Sequence, residues 1–189
     1  MTDSVQHVTL DQAIANALAG IHAQAWDGGG LYSQVLVTID GVVNLDEANG
    51  YCTPIKAAGS GGQNTFLVPN TDDARLSQTD SEVASLQDAW DWIIHELPNH
   101  HPQPRGIWVV LVGNIGPCDS CKIRIANFRT MLKQRYPAPC VVAVEVVYDQ
   151  ANGSANPATR GNGIATTYGY NNLTPRQLPG PSVWRTVIT

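Results

Sequence analysis

The sequence predicts an α/β domain built on a β-α-β unit, and three features point that way. Two apolar, β-branched runs, Ile107 to Val112 and Val141 to Tyr148, have the composition of strands buried in a partly parallel sheet. Between them Ile125, Phe128 and Leu132 recur three and four residues apart with polar and charged residues interspersed, which is the period of a helix. Upstream, the alternation Gln34-Val35-Leu36-Val37-Thr38-Ile39 followed by Asp40-Gly41 reads as a strand entering a two-residue hairpin turn, with Val42-Val43 opening its partner.

A single domain is the expectation. At 189 residues, with 43% hydrophobic and 14% charged residues, the chain is long enough for one full core. No stretch approaches the roughly 18 uncharged apolar residues of a membrane helix, and MTDSVQHVTL lacks the basic start and apolar run of a signal peptide. The net charge of −5 is unevenly spread. Residues 1–99 hold 13 acids against Lys56 and Arg75, a balance of −11, whereas residues 100–189 hold 3 acids and 9 bases, a balance of +6. Five of those bases, Lys122, Arg124, Arg129, Lys133 and Arg135, fall in one helix, either as a solvated face or as a surface that follows phosphates.

Taken in order, Thr9 followed by Gln12 has capping-box spacing, and Leu10, Ile14, Ala17, Leu18 and Ile21 make an apolar stripe, so a helix is expected over about 9–25. Gly28, Gly29 and Gly30 break it before the hairpin. Residues 46–64, rich in glycine and small polar residues, read as a long surface excursion, with a brief strand over Thr65 to Val68. From Ser77 the period turns helical through Val83, Leu86, Trp90, Ile93, Ile94 and Leu97, and Pro98 is expected to close that helix. A connector, NHHPQPR, leads to the strand at 107. Residues 150–180 are expected to be mostly loop, with a late strand at Val183 to Ile188.

The segment from Gly116 to Pro137, GPCDSCKIRIANFRTMLKQRYP, carries the chemistry. Proline suits the first turn of a helix because its missing N–H would have no partner there. Cys118 and Cys121 therefore fall in that first turn, where exposed backbone N–H groups and the positive end of the dipole favour thiolates suited to a metal such as zinc. Cys-x-x-Cys alone is also compatible with a thioredoxin-like redox site or a zinc ribbon. The first would usually follow the first strand of its fold, and the second needs another Cys pair, which Cys52 and Cys140 do not form. Those two read as small core residues. Asp80-Ser81-Glu82 opens the preceding helix, with Glu82 36 positions before Cys118, a spacing that suits two helices separated by one strand. Taken alone, this acidic turn only complements a helix dipole. His95, His100 and His101 compete as metal ligands, and Trp90 belongs to the apolar stripe of its helix while Trp92 stands beside it.

The order of strand, strand, Asp-Ser-Glu helix, strand, Gly-Pro-Cys-x-Ser-Cys helix and Val-rich strand resembles the bacterial polymorphic-toxin branch of the cytidine deaminase-like superfamily. The resemblance covers roughly residues 31–149, most specifically Gly116 to Cys121 with Phe128 and Pro137. It implies a three-layer α/β/α fold with a mixed sheet of about five strands, an N-terminal helix within 1–28, a deaminase core over 31–149 and a loop-rich extension over 150–189. It implies zinc held by Asp80, Cys118 and Cys121, with aspartate where the superfamily signature has histidine, and Glu82 as the catalytic proton shuttle. Zinc with an open fourth position lowers the pKa of water toward about 7, although a ligand set of charge −3 makes that water less acidic than a His-Cys-Cys set does.

The function so implied is conversion of cytosine to uracil in single-stranded DNA or RNA by a monomeric toxin domain of a delivered bacterial effector, acting in the target-cell cytoplasm and held in check by a cognate immunity protein. Two other readings stay open: a deaminase of a free nucleobase or nucleotide, which the acidic first half favours, and a non-enzymatic zinc-stabilised binding module.

Overall fold

In the computed structural model, which describes residues 9–25, 31–46, 48–58, 80–117, 119–150 and 184–188, the alternating segment forms β1, Tyr32–Ile39. The two β-branched runs become β4, Gly106–Ile115, and β5, Val141–Gln150. Strand β1 pairs antiparallel with β4, and β4 pairs parallel with β5. Beyond β5 lies the late strand β6, Trp184–Ile188, antiparallel to it. The outer side of β1 receives β2, Gly50–Cys52, and the two-residue β3, Lys56–Ala57. The result is a mixed open sheet in the order β2-β1-β4-β5-β6, with β3 also on β1.

Alternation along the strands divides the apolar residues between two faces. On one face Leu36, Val110, Val112 and Val147 pack under helix α1, Leu10–Ala25, through Ile14, Leu18 and Ile21. On the other, Val37, Val109 and Val144 meet helix α2, Ser81–His95, and helix α4, Asp119–Arg135. The residues expected to drive α4, Ile125, Phe128 and Leu132, are all in this second core. So are Trp92, which is fully within it, and Trp90, half-buried and edge-on to Phe128 at 6.1 Å. Among the described residues no helix is long and apolar enough to cross a membrane.

Several expectations need correction. The Asp40-Gly41 turn forms, with both residues at positive φ (53° and 77°) as a type I′ turn requires, but the hairpin stops at one bridge between Ile39 and Val42. Asp40 Oδ1 accepts the N–H groups of Arg105 and Gly106 at 2.7 and 2.8 Å, which ties the turn to the start of β4. The partner of β1 instead comes from within the segment expected to be a surface excursion. Asp46 accepts the Asn49 N–H on Oδ1 and the Gly50 N–H on its carbonyl, and this local turn brings Gly50 against Val37. A side chain at Gly50 would run into the carbonyl oxygens of Asn44 and Val37, so the short strand depends on glycine there.

Pro98 does not simply close a helix. The α2 helix ends at His95, and Pro98 opens a single-turn helix, α3, Leu97–His100, at a position that needs no N–H donor. Thr9 does cap α1 by accepting the Gln12 N–H, but the Gln12 side chain bonds Asn16 instead of closing the box. Cys52 and Cys140 are half-buried at the edges of the cores rather than inside them. Arg124, counted among the bases of a solvated face, is 1% exposed, while Lys122 and Arg129 are half-buried and only Lys133 and Arg135 are open to solvent. Of the loop expected over 150–180, Gln150 instead ends β5 and the rest lies outside the described residues, as do the strand expected at 65–68 and the start of the α2 segment at 77–79.

Candidate functional site

Parallel strands β4 and β5 end at the same edge of the sheet, where open α/β sheets form ligand sites beyond the carboxyl ends of their strands. There the chain leaves β4 through Gly116 and Pro117, both buried, and enters α4. Gly116 lies flat against the ring of Tyr148 at the end of β5; a Cβ in its place would stand 2.9 to 3.2 Å from three ring carbons. The contact fixes how close the β4–α4 turn comes to the sheet. Because β1 runs antiparallel to β4, its first residues also reach this edge. Ser33 of β1 and Ser85 of α2 share a buried hydroxyl contact at 2.9 Å, and Ser85 Oγ also donates to the Ser33 carbonyl. Asn114, buried near the end of β4, accepts the Tyr32 N–H on Oδ1 at 2.9 Å. These bonds hold the N-terminus of α2 over the same edge as that of α4.

Asp80 is the N-cap residue of α2, with extended backbone (φ −63°, ψ 140°), yet its side chain makes no capping bond. The first turn is closed by its main chain, whose carbonyl accepts the N–H groups of Val83 and Ala84 at 3.1 Å. Its carboxylate points across to the other helix, where Oδ2 accepts the Cys121 thiol at 3.0 Å. Cys121 is 0% exposed, in the first turn of α4. The two residues are 41 apart in sequence. Glu82, two positions after Asp80, is 3% exposed, and its Oε2 accepts the Ser81 hydroxyl at 3.1 Å. Asp80, Cys121 and Glu82 are therefore gathered at two facing helix starts. Cys118 lies outside the described residues, and among the described residues no three His, Cys, Asp or Glu side chains form a metal-sized cluster.

The competing histidines are elsewhere. His95 stands in the last turn of α2, about 22 Å along the helix from Asp80 at 1.5 Å per residue. His100 follows in α3, and His101 Nε2 is 3.0 Å from the Ala48 carbonyl oxygen. None of the three can join a site at Asp80.

A buried sulfur and a half-buried carboxylate oxygen 3.0 Å apart, at the positive ends of two helices, are a donor pair of the kind zinc takes. The pattern of Cys-x-x-Cys with Asp-x-Glu named these residues in advance. It could not name Ser81 as the partner of Glu82, nor Ser33, Ser85, Asn114 and Tyr148 as the supports, because hydroxyl and amide side chains carry no periodic signal and their partners come from distant elements. Comparison of the chain with protein-family models, curated proteins and solved structures finds no match.

Proposed function

We propose that this chain is a hydrolytic deaminase of the cytidine deaminase-like type, zinc-dependent, converting cytosine to uracil in single-stranded nucleic acid as the toxin domain of a delivered effector. The observation that carries the reading is the contact between Asp80 and Cys121, which joins the Asp-Ser-Glu turn to the Pro-Cys-x-x-Cys turn across 41 residues. The sheet order and the β4-α4-β5 crossover are in keeping with it.

Asp80 and Cys121, with Cys118, would hold the metal. Zinc in such a ligand set supplies a Lewis acid that makes water nucleophilic near neutral pH. Glu82 is outside that ligand set. Its carboxylate takes a proton from the water as oxygen attacks C4 of cytosine, passes it to the ring nitrogen, and supports departure of the amino group as ammonia, so that cytosine and water become uracil and ammonia. The Ser81 hydroxyl on Oε2 fixes the rotamer of that carboxylate. Burial of Glu82 keeps bulk water from competing for its proton.

The test is Glu82→Gln, which keeps shape and the Ser81 contact but cannot accept the proton. Deamination of single-stranded DNA or RNA should fall by roughly 10²- to 10⁴-fold with zinc content unchanged. Parallel assays on free cytidine separate a nucleotide enzyme from a nucleic-acid one. Retained activity in the variant would place the acid and base on another residue, and absence of activity on all three substrates in the parent chain would leave the binding-module reading standing.

A further inference from the structure

A recess lies on α2 away from the Asp80 edge. It is a shallow groove of about 450 Å³, open to solvent, lined by Tyr51, Asp88, Asp91, Trp92, His95 and Glu96. Tyr51, from edge strand β2, lies parallel to the Trp92 indole with ring centroids 5.4 Å apart and 4° between planes, so the two rings form an aromatic wall. Trp92 is 5% exposed, and its buried indole N–H has no acceptor among the described residues.

Of the three carboxylates, Asp88 is matched by Lys56 at 2.6 Å. Asp91 accepts only a neutral amide, Gln87 Nε2 at 2.8 Å, and both Asp91 and Glu96 are exposed without a cationic partner among the described residues. An aromatic face beside two unmatched carboxylates is complementary to a planar cation. Guanidinium stacks on aromatic rings and presents paired N–H donors to carboxylates, which ammonium does not. The shallow shape argues against a free small cation, since small-molecule sites enclose most of their ligand. The surplus of acids over residues 1–99 draws a basic partner toward this half of the chain.

We propose that this groove docks an arginine-bearing segment of a protein partner, with the guanidinium against Tyr51 and between Asp91 and Glu96. This site is independent of the chemistry at Asp80 and Glu82.

The experiment uses the full chain, labelled with nitrogen-15, titrated with an acetylated and amidated Gly-Arg repeat peptide and separately with the Gly-Lys peptide of equal length. The Trp92 indole signal is identified by its loss in Trp92→Phe. The expected result is a saturable shift of that signal, an affinity for the arginine peptide about threefold or more above that for the lysine peptide, and a loss of about tenfold in Asp91→Asn/Glu96→Gln. Tyr51→Leu, which removes the stacking face but no charge, should erase the preference for arginine over lysine. Equal binding of the two peptides by the parent chain, unchanged affinity in the double variant, or a Trp92 signal that does not move would each overturn the proposal.

Discussion

Replacing Gly116 by alanine tests whether the β4–α4 turn is set by its contact with Tyr148. The added Cβ would lie 2.9, 3.1 and 3.2 Å from Cε2, Cδ2 and Cζ of a ring that is itself buried at the end of β5. Ordinary contacts begin near 3.4 Å, so ring or turn must move by about 0.5 Å inside a packed core, and overpacking of this kind costs about 1–3 kcal/mol. Gly116 has no positive φ, so backbone strain adds nothing and the loss of unfolded-state freedom returns about 0.4–1 kcal/mol. The net expectation is a destabilisation of about 1–2 kcal/mol, or about 2–8 °C in Tm for a chain of this size. Urea unfolding followed by tryptophan fluorescence, with the slope checked for constancy, measures it. The same substitution in a Tyr148→Leu background should be neutral or slightly stabilising, because the ring carbons are gone. If Gly116→Ala is harmless in the parent, or equally harmful in both backgrounds, the ring contact does not set the turn.

Three further outcomes follow from the same physical grounds. Thr53→Val should cost about 1–3 kcal/mol, since it strips the buried Val35 N–H of its acceptor, Thr53 Oγ1 at 2.9 Å, while Thr53→Ser should recover most of the loss. Under the proposed function the purified chain should carry about one zinc, and Cys121→Ser should lower that content by an order of magnitude; metal analysis showing none in a folded parent would defeat the assignment. Burial pushes the Cys52 and Cys140 thiols above their ordinary value of 9.0, aided at Cys140 by the Asp40 carboxylate, and burial raises the Tyr136 phenol above 10.0 against the opposing Arg135 charge. Folding thus favours the neutral forms, so their contribution is fully present below about pH 9 and is lost as pH rises through the raised folded values. Tm should fall as pH rises above 9 and fall less steeply in Cys52→Ala; a Tm that rises there would contradict the sign.

The sequence by itself determined the elements whose periodicity is local. The helix at residues 10 to 25, the alternation of β1, the β-branched runs of β4 and β5 and the stripe Ile125, Phe128, Leu132 are each specified by neighbours in the chain, and so could be read without knowing the fold. The type I′ turn at Asp40-Gly41 was legible for the same reason, as only residues tolerant of positive φ fit it. Candidate chemistry was legible where unusual residue types stand at fixed spacing, as Asp80, Glu82, Cys118 and Cys121 do.

Tertiary structure decided what depends on partners far along the chain. Residues 50–52 have little strand character, but β1 offers an unpaired edge and Asp46 turns the chain toward it, so hydrogen bonding overrides composition. Its charge alone counted Arg124 among surface bases, while the packing of α4 on the sheet put it inside. The side chain of Asp80 could have capped its own helix, the local choice; it turns instead to Cys121 because β1, β4 and their buried Ser33, Ser85 and Tyr148 contacts bring two helix starts within hydrogen-bond reach.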